Sequence, residues 1–295
     1  MNTNALQILE EIGIQLDNGQ FPCVHNGGIV MPSKAAISYN ALGKEKSDAE
    51  RQAKTRSTAG SRKRTARRQG ASRRCREARD ASPLINAKVR KNYLRDLKRV
   101  TKAYPAIKVW DTPTGLWLRA PAMPVQHSNR EVTFLIFLPY PEGLPLKAWA
   151  FWSSIMGYTW IGPRHTNAPD GSICAFEPGD HSWQQGDKIV RLLDIFCVWA
   201  VRHLHLEKIG RWPGYQAVPH PYERLMEVQD NEYCGCDNAG RRYADCCKQD
   251  DLALGHESLR HDFEAKYGHS KVVPKVIKNF VEGSGPLPVI CYPSF

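Results

Sequence analysis

The run Val132-Thr133-Phe134-Leu135-Ile136-Phe137-Leu138 constrains the fold most. Consecutive β-branched, aromatic and aliphatic residues fit a central strand, and Pro139-Tyr140-Pro141 ends it because proline cannot donate to a ladder. Shorter strands are predicted over 106–110, 115–120, 147–152 and 158–161. Turn residues over 111–115 and 121–129 separate the first three strands. Ser82-Pro83 supplies a helix start, a capping hydroxyl followed by proline. Val89, Tyr93, Leu97, Val100 and Tyr104 then recur at spacings of three and four up to Pro105. Beyond Trp183, Asp187 is placed to cap a long helix ending near Gly210. Ile189, Leu192, Leu193, Phe196, Ala200 and Leu204 form its core stripe, and Val198, Trp199 and Val201 make it apolar nearly all round. Helix, meander, loop and buried helix describe a small α+β layer fold.

Outside this region the chain reads differently. Between Lys44 and Asp80 stand 14 basic and five acidic residues, a net +9 of the chain's +11. With almost no large apolar side chains, residues 44–82 are expected to form a disordered basic linker, or a tether for nucleic acid or an acidic partner. Residues 1–43, with a turn signal at Asn26-Gly27-Gly28, show no chemistry. No window approaches the roughly 20 apolar residues of a membrane span, and the amino terminus lacks the pattern of a secretory signal. A soluble, cytoplasmic protein with no membrane partner is expected. Nine cysteines, an odd number with four crowded between Cys234 and Cys247, fit that compartment better than a disulfide scaffold.

The segment from His165 to Trp183 carries the chemistry. His165-Thr166-Asn167 is followed by Asp170-Gly171-Ser172-Ile173-Cys174 and then Trp183, with Cys174 seven positions after Asn167 and nine before Trp183. It resembles the ubiquitin-conjugating enzyme family, which has His-Pro-Asn, a short glycine-containing loop, Ile-Cys or Leu-Cys, and then a tryptophan. Phe137-Leu138-Pro139-Tyr140-Pro141 through Pro145 is similar to that family's proline-rich stretch after its third strand. The resemblance covers roughly residues 83–213. It departs from the family at Thr166, which replaces the middle proline and is expected to loosen the turn that aims Asn167. Between Pro145 and His165 the chain is also longer, so an extra hairpin or loop is expected there. Bacterial relatives in anti-phage operons show similar liberties, and the chain looks closer to them.

What the resemblance implies is a UBC-like catalytic domain over 83–218, with Cys174 accepting a ubiquitin-like protein, or another protein's carboxyl terminus, as a thioester. A separate activating enzyme would supply the acyl group, since no glycine-rich nucleotide loop is visible. A thiolate suits that task because it both accepts and surrenders an acyl group. The resemblance makes Asn167 the donor to the oxyanion and His165 a brace for the turn. Asp180, His181 and Asp187 are close enough in sequence to orient or deprotonate an incoming lysine. Cys197, between Phe196 and Val198 on a buried helix, is expected to be structural. His203 and His205, two apart on that helix, do not form a metal pair.

Cys234-Gly235-Cys236, nine residues, then Cys246-Cys247 offers four thiolates over 228–250, for which a structural Zn²⁺ is the expected occupant. Asn238, Gly240, Arg241, Arg242 and Tyr243 resemble the loop of the SEC-C zinc motif, although Asp237 replaces its first glycine. Residues 251–295 form an extension with helices predicted around 257–267 and 273–281. Two rival readings remain at this stage: the same fold as a non-catalytic adaptor, and a nucleic-acid-binding protein built around residues 44–82.

Overall fold

The computed structural model describes residues 23–25, 28–30, 86–125, 130–176, 181–236, 240–268, 271–290 and 292. All belong to one compact unit, Met1–Met31 with Leu84–Phe295; a second unit, Pro32–Pro83, lies outside them, and so does the basic segment 44–82.

Asn86 starts the first helix among the described residues, α1 (Ala87–Ala103): its side-chain oxygen accepts from the backbone N–H groups of Lys88 and Val89 at 3.1 and 3.2 Å. The start expected at Ser82-Pro83 is therefore corrected. Those residues lie outside the described set, and an oxygen four positions later satisfies the first-turn donors. Val89, Tyr93 and Val100 are buried on one face, as the periodicity predicts.

A sheet follows. β3 (Lys108–Asp111), β4 (Gly115–Val125), β5 (Arg130–Pro139), β6 (Lys147–Ser154) and β7 (Gly157–Trp160) pair antiparallel in sequence order. Ahead of them in the chain, β1 (Cys23–His25) pairs antiparallel with β2 (Gly28–Val30), and β2 joins the far end of β4 in parallel through Ile29 opposite Val125. β5 sits inside the sheet between β4 and β6, with every residue from Val132 to Pro139 buried.

Because strand side chains alternate, both faces need cover. One face presents Leu116, Leu118, Phe134, Ile136 and Leu138 to α1 and to α2 (Ile189–Ile209). The other presents Trp117, Leu135, Phe137, Trp149 and Phe151, which pack with Ile277 and Val281 of the last helix, α6 (Lys275–Val281). Burying each such side chain stabilises the fold by about 1.5–3 kcal/mol. The carboxyl-terminal extension is thus a third layer, and the described chain is α+β with a largely antiparallel sheet.

α2 ends at Gly210, which adopts the left-handed conformation at φ 77°. Its start differs from expectation. Asp187 does not cap it: the Asp187 carboxylate accepts from Gln184 N at 3.0 Å and closes the preceding turn. The first helical N–H, that of Ile189, donates instead to Asp96 of α1 at 2.7 Å. The extra length between Pro145 and His165 contains the β6–β7 hairpin, whose tip exposes Ile155 and Met156. Beyond α2 come α3 (Pro221–Glu227), α4 (Lys248–Ala253) and α5 (His256–Tyr267). Among the described residues no helix is long and apolar enough to cross a membrane.

Candidate active site

Cys174 leaves a two-stranded hairpin, β8 (Thr166–Asn167) against β9 (Ser172–Ile173), with Thr166 opposite Ile173 and Asn167 opposite Ser172. Cys174 N continues the ladder by donating to the His165 carbonyl at 2.9 Å. Asn167 and Cys174 therefore share one face of the hairpin as diagonal neighbours, a relation that puts Cβ atoms within roughly 7–8 Å. Cys174 is half-buried and not in a disulfide, whereas Cys197 is buried in α2, where burial pushes its thiol well above the ordinary range.

The hairpin is held from several sides. Trp149 Nε1 donates to the Asp170 carbonyl at 2.8 Å, and Lys147 pairs with the Asp170 carboxylate at 2.9 Å. Gly171 turns the chain at φ 63°; a Cβ there would lie 2.7 Å from the Trp160 ring. Thr166 is buried, and its hydroxyl donates to the Pro163 carbonyl at 2.5 Å. A hydroxyl thus ties the turn at the position where a loosening was expected.

His165 is a brace. Its φ of 50° is unusual for a residue with a Cβ. Its carbonyl accepts from Cys174 N and from Trp199 Nε1 of α2, the latter at 3.1 Å, while its ring packs tilted against Trp212 at 3.8 Å and its Nε2 meets Gln216 Oε1 at 3.1 Å. Burial, then the nearby Arg164 cation and His203, hold its pKa well below the usual range, so it is neutral at physiological pH. Asn167 Nδ2 donates to Ser172 Oγ at 3.2 Å and to the Ile173 carbonyl at 3.1 Å, so the amide staples the hairpin that carries Cys174.

A cavity of about 230 Å³ lies before this hairpin. His165, Thr166, Asn167, Ala168 and Cys174 form one wall; Val218, Glu223, Glu227, Phe263, Tyr267 and Lys271 form the other. Glu223 and Glu227 sit one turn apart on α3. Both grip Lys271 Nζ, at 2.5 and 2.9 Å. Lys271 is carried against the hairpin because Val272 N donates to the Pro169 carbonyl at 3.3 Å. Burial lowers the affinity of Lys271 for its proton, but the two carboxylates outweigh that and raise its pKa; Glu227 is raised by burial, with Glu223 adding to it and Lys271 opposing.

No family model, curated protein or solved structure matches the chain. The cleft must be read from its own groups.

Of the residues singled out in the sequence, Cys174, Asn167 and His165 meet at this cavity. Asp180 lies outside the described residues. His181 and Asp187 belong to the turn before α2, where His181 Nδ1 meets Gln184 Nε2 at 2.6 Å, and neither lines the cavity. Glu223, Glu227 and Lys271 went unnoticed because three charged residues far from the motif read as solvated surface. The available signal was the spacing of Glu223 and Glu227 on a helix that opens with Pro221.

The four clustered cysteines form a second candidate site, able to hold a metal ion. The sulfurs of Cys234, Cys236, Cys246 and Cys247 all lie within 4.8 Å of one another, with Cys236–Cys246 at 3.6 Å and Cys246–Cys247 at 3.8 Å. These spacings are far beyond a disulfide bond of about 2.05 Å. The knuckle is joined to the cleft. Gly235, at φ 76°, abuts Val218 so closely that a Cβ would fall 2.8 Å from Val218 N. Arg224 of α3 forms a buried pair with Asp251 at 2.6 Å and donates to the Pro219 carbonyl at 2.7 Å. Tyr243 also donates to Asp251, at 3.1 Å.

Proposed function

We propose that the chain is a ubiquitin-conjugating-like transferase that carries an acyl group as a thioester on Cys174 and delivers it to an amine. One observation carries this reading: the half-buried Cys174 sulfur fronts a cavity, on the same hairpin face as Asn167, at the end of a His-x-Asn…Ile-Cys string. Helix, meander, hairpin and buried helix follow one another in the order the family uses, which supports a UBC-like fold. The acyl donor would be a ubiquitin-like protein, or another protein's carboxyl terminus, charged by a separate activating enzyme; a setting in bacterial anti-phage defence follows from the resemblance alone.

The chemistry is thiol–thioester exchange followed by aminolysis. Sulfur attacks the carbonyl carbon of the incoming thioester, and the donor thiolate leaves. The tetrahedral oxyanion of each step needs a preplaced donor. For Asn167 to serve, its amide must release Ser172 or Ile173. The ordered amide also favours a second reading, in which the same fold acts as a binding module and Asn167 is only a staple.

Zn²⁺ is the reading of the cysteine knuckle. Four thiolates at about 2.3 Å from a tetrahedral centre lie about 3.8 Å apart, close to the two separations observed. Four sulfurs close the coordination sphere, so the ion would brace the cleft wall and take no part in acyl transfer.

The test uses a small donor, a glycylglycine thioester of mercaptoethanesulfonate. Peptide mass spectrometry should find the diglycyl mass on Cys174, removable by hydroxylamine, absent in Cys174→Ala and retained in Cys197→Ala. Labelling of Cys174 no faster than of an unfolded peptide of the same sequence would sink the transferase reading in favour of the binding module.

A further inference from the structure

A lysine ammonium is expensive to bury unless it is paired, and a fold seeking stability alone gains as much from an apolar residue there. Lys271 is nevertheless only 8% exposed, and it is buried at the wall of the cavity that Cys174 faces. Two carboxylates meet it, Glu223 at 2.5 Å and Glu227 at 2.9 Å. The three groups come from two separate parts of the chain brought together at the cleft: α3 supplies both acids, and the segment hydrogen-bonded to the Asn167–Ser172 loop supplies the amine.

We infer that Glu223 and Glu227 form an amine-binding seat and that Lys271, which occupies it, is an internal acceptor: an acyl group on Cys174 passes to Lys271 Nζ within the same chain. The inference rests on the acyl-carrying role of Cys174. One ammonium between two carboxylates leaves the seat with a net negative charge, so a carboxylate is at hand to take a proton. Glu227, at 2.9 Å from the ammonium and lifted by burial, is the base. It removes one proton from the ammonium. The freed nitrogen attacks the thioester carbonyl carbon, the new N–C bond forms, and the C–S bond breaks with its electron pair going to the Cys174 sulfur. That sulfur takes a second proton from the nitrogen. An amide on Lys271, a thiol on Cys174 and a protonated Glu227 result, with no other reactant required. The same seat defines the preferred outside acceptor, a primary amine on a long apolar stem, which must displace Lys271 to enter.

The diglycyl thioester probe tests this on the full chain, with mass spectrometry before and after hydroxylamine. The label should appear first on Cys174 as a hydroxylamine-labile adduct and then on Lys271 as a resistant amide. Lys271→Arg keeps the charge pairing but offers no nucleophilic amine, so the Cys174 adduct should persist about tenfold longer or more. Glu227→Gln should slow the transfer on the order of 10²-fold, and a melting curve of each variant verifies folding. A Cys174 adduct that never reaches Lys271, or one whose lifetime Lys271→Arg leaves unchanged, overturns the inference and leaves the transferase reading intact. Amide on Lys271 of Cys174→Ala at the wild-type rate also overturns it, because the label then arrives directly. Absence of any Cys174 adduct removes both.

Discussion

The carboxylate of Asp96, in the middle of α1, accepts the backbone N–H of Ile189 at 2.7 Å and so caps a helix that begins 93 residues later. Lys188 at the cap position has no side-chain oxygen to offer, so this long-range bond replaces the usual local one. It also fixes α2 against α1, and α2 in turn holds His165 through Trp199. Asp96→Ala should therefore cost about 1–2 kcal/mol of stability, read as a lower denaturant midpoint with unchanged slope. A change within experimental scatter would show that solvent satisfies the α2 terminus equally well.

Gly171 should tolerate no side chain. Its φ of 63° disfavours one, and a Cβ would strike the Trp160 ring at 2.7 Å and crowd Val273 N at 3.1 Å. Gly171→Ala should destabilise by about 1–3 kcal/mol and displace the loop beneath Cys174. Its signature is a changed rate of Cys174 alkylation by iodoacetamide alongside a lowered melting temperature. An unaltered rate would mean that Cys174 presentation does not depend on the loop.

The contrast between these residues shows what was legible beforehand. The central strand β5, the α1 stripe and the apolar α2 were readable because burial imposes a period on neighbouring residues. That Cys174, Asn167 and His165 lie together was readable because one hairpin holds them within ten consecutive positions. Asp96 was not, since on α1 it looks like one more polar residue on a charged face. Glu223, Glu227 and Lys271 escaped for the same reason, as did the role of α6 in covering Trp117 and Trp149. Each depends on a contact between distant segments that no local pattern encodes.

Asn167 offers a sharp separation of two roles. Both hydrogen bonds of its amide are internal to the hairpin. As a staple, Asn167→Ala should lower stability by about 1–2 kcal/mol and disturb Cys174 labelling only in proportion. As an oxyanion donor, it should slow transfer from Cys174 by on the order of 10²–10³ with the melting temperature little changed. The ordered geometry predicts the first pattern for the resting protein, and paired melting and single-turnover measurements distinguish them.

Acid should weaken the fold through His203. Burial holds this imidazole, packed on Trp199 at 4.0 Å and edge-on to Trp212 at 5.1 Å, down to about 3. An unfolded histidine titrates near 6.5. Below that pH the unfolded chain takes up a proton that the folded chain refuses, so the contribution is fully present above about 6.5 and lost progressively toward 3. At pH 5.5 the loss is about 1.4 kcal/mol. His165, depressed in the same direction, adds to it. Thermal unfolding at pH 7.5 and 5.5 should show the drop, and His203→Leu should make it shallower. An identical slope in that variant would assign the acid sensitivity elsewhere.

Removing a metal from the cysteine knuckle should damage the cleft before it damages the sheet. α4 begins immediately after Cys247 and carries Asp251, which holds both Arg224 and Tyr243. Arg224 anchors α3, the short helix that also bears Glu223 and Glu227 at the cavity. The sheet has its own packed layers and does not depend on that chain of contacts. The purified chain should carry about one thiolate-bound metal ion, measurable by elemental analysis. A strong chelator, or Cys246→Ser, should release it and produce a separate early transition in the melting curve. Hydrogen exchange should then rise first over α3 and α4 and leave β5 protected. A metal-free protein whose melting ignores the chelator would mean that the four thiols pack as an ordinary cluster. A uniform rise in exchange would mean instead that knuckle and sheet unfold as one unit.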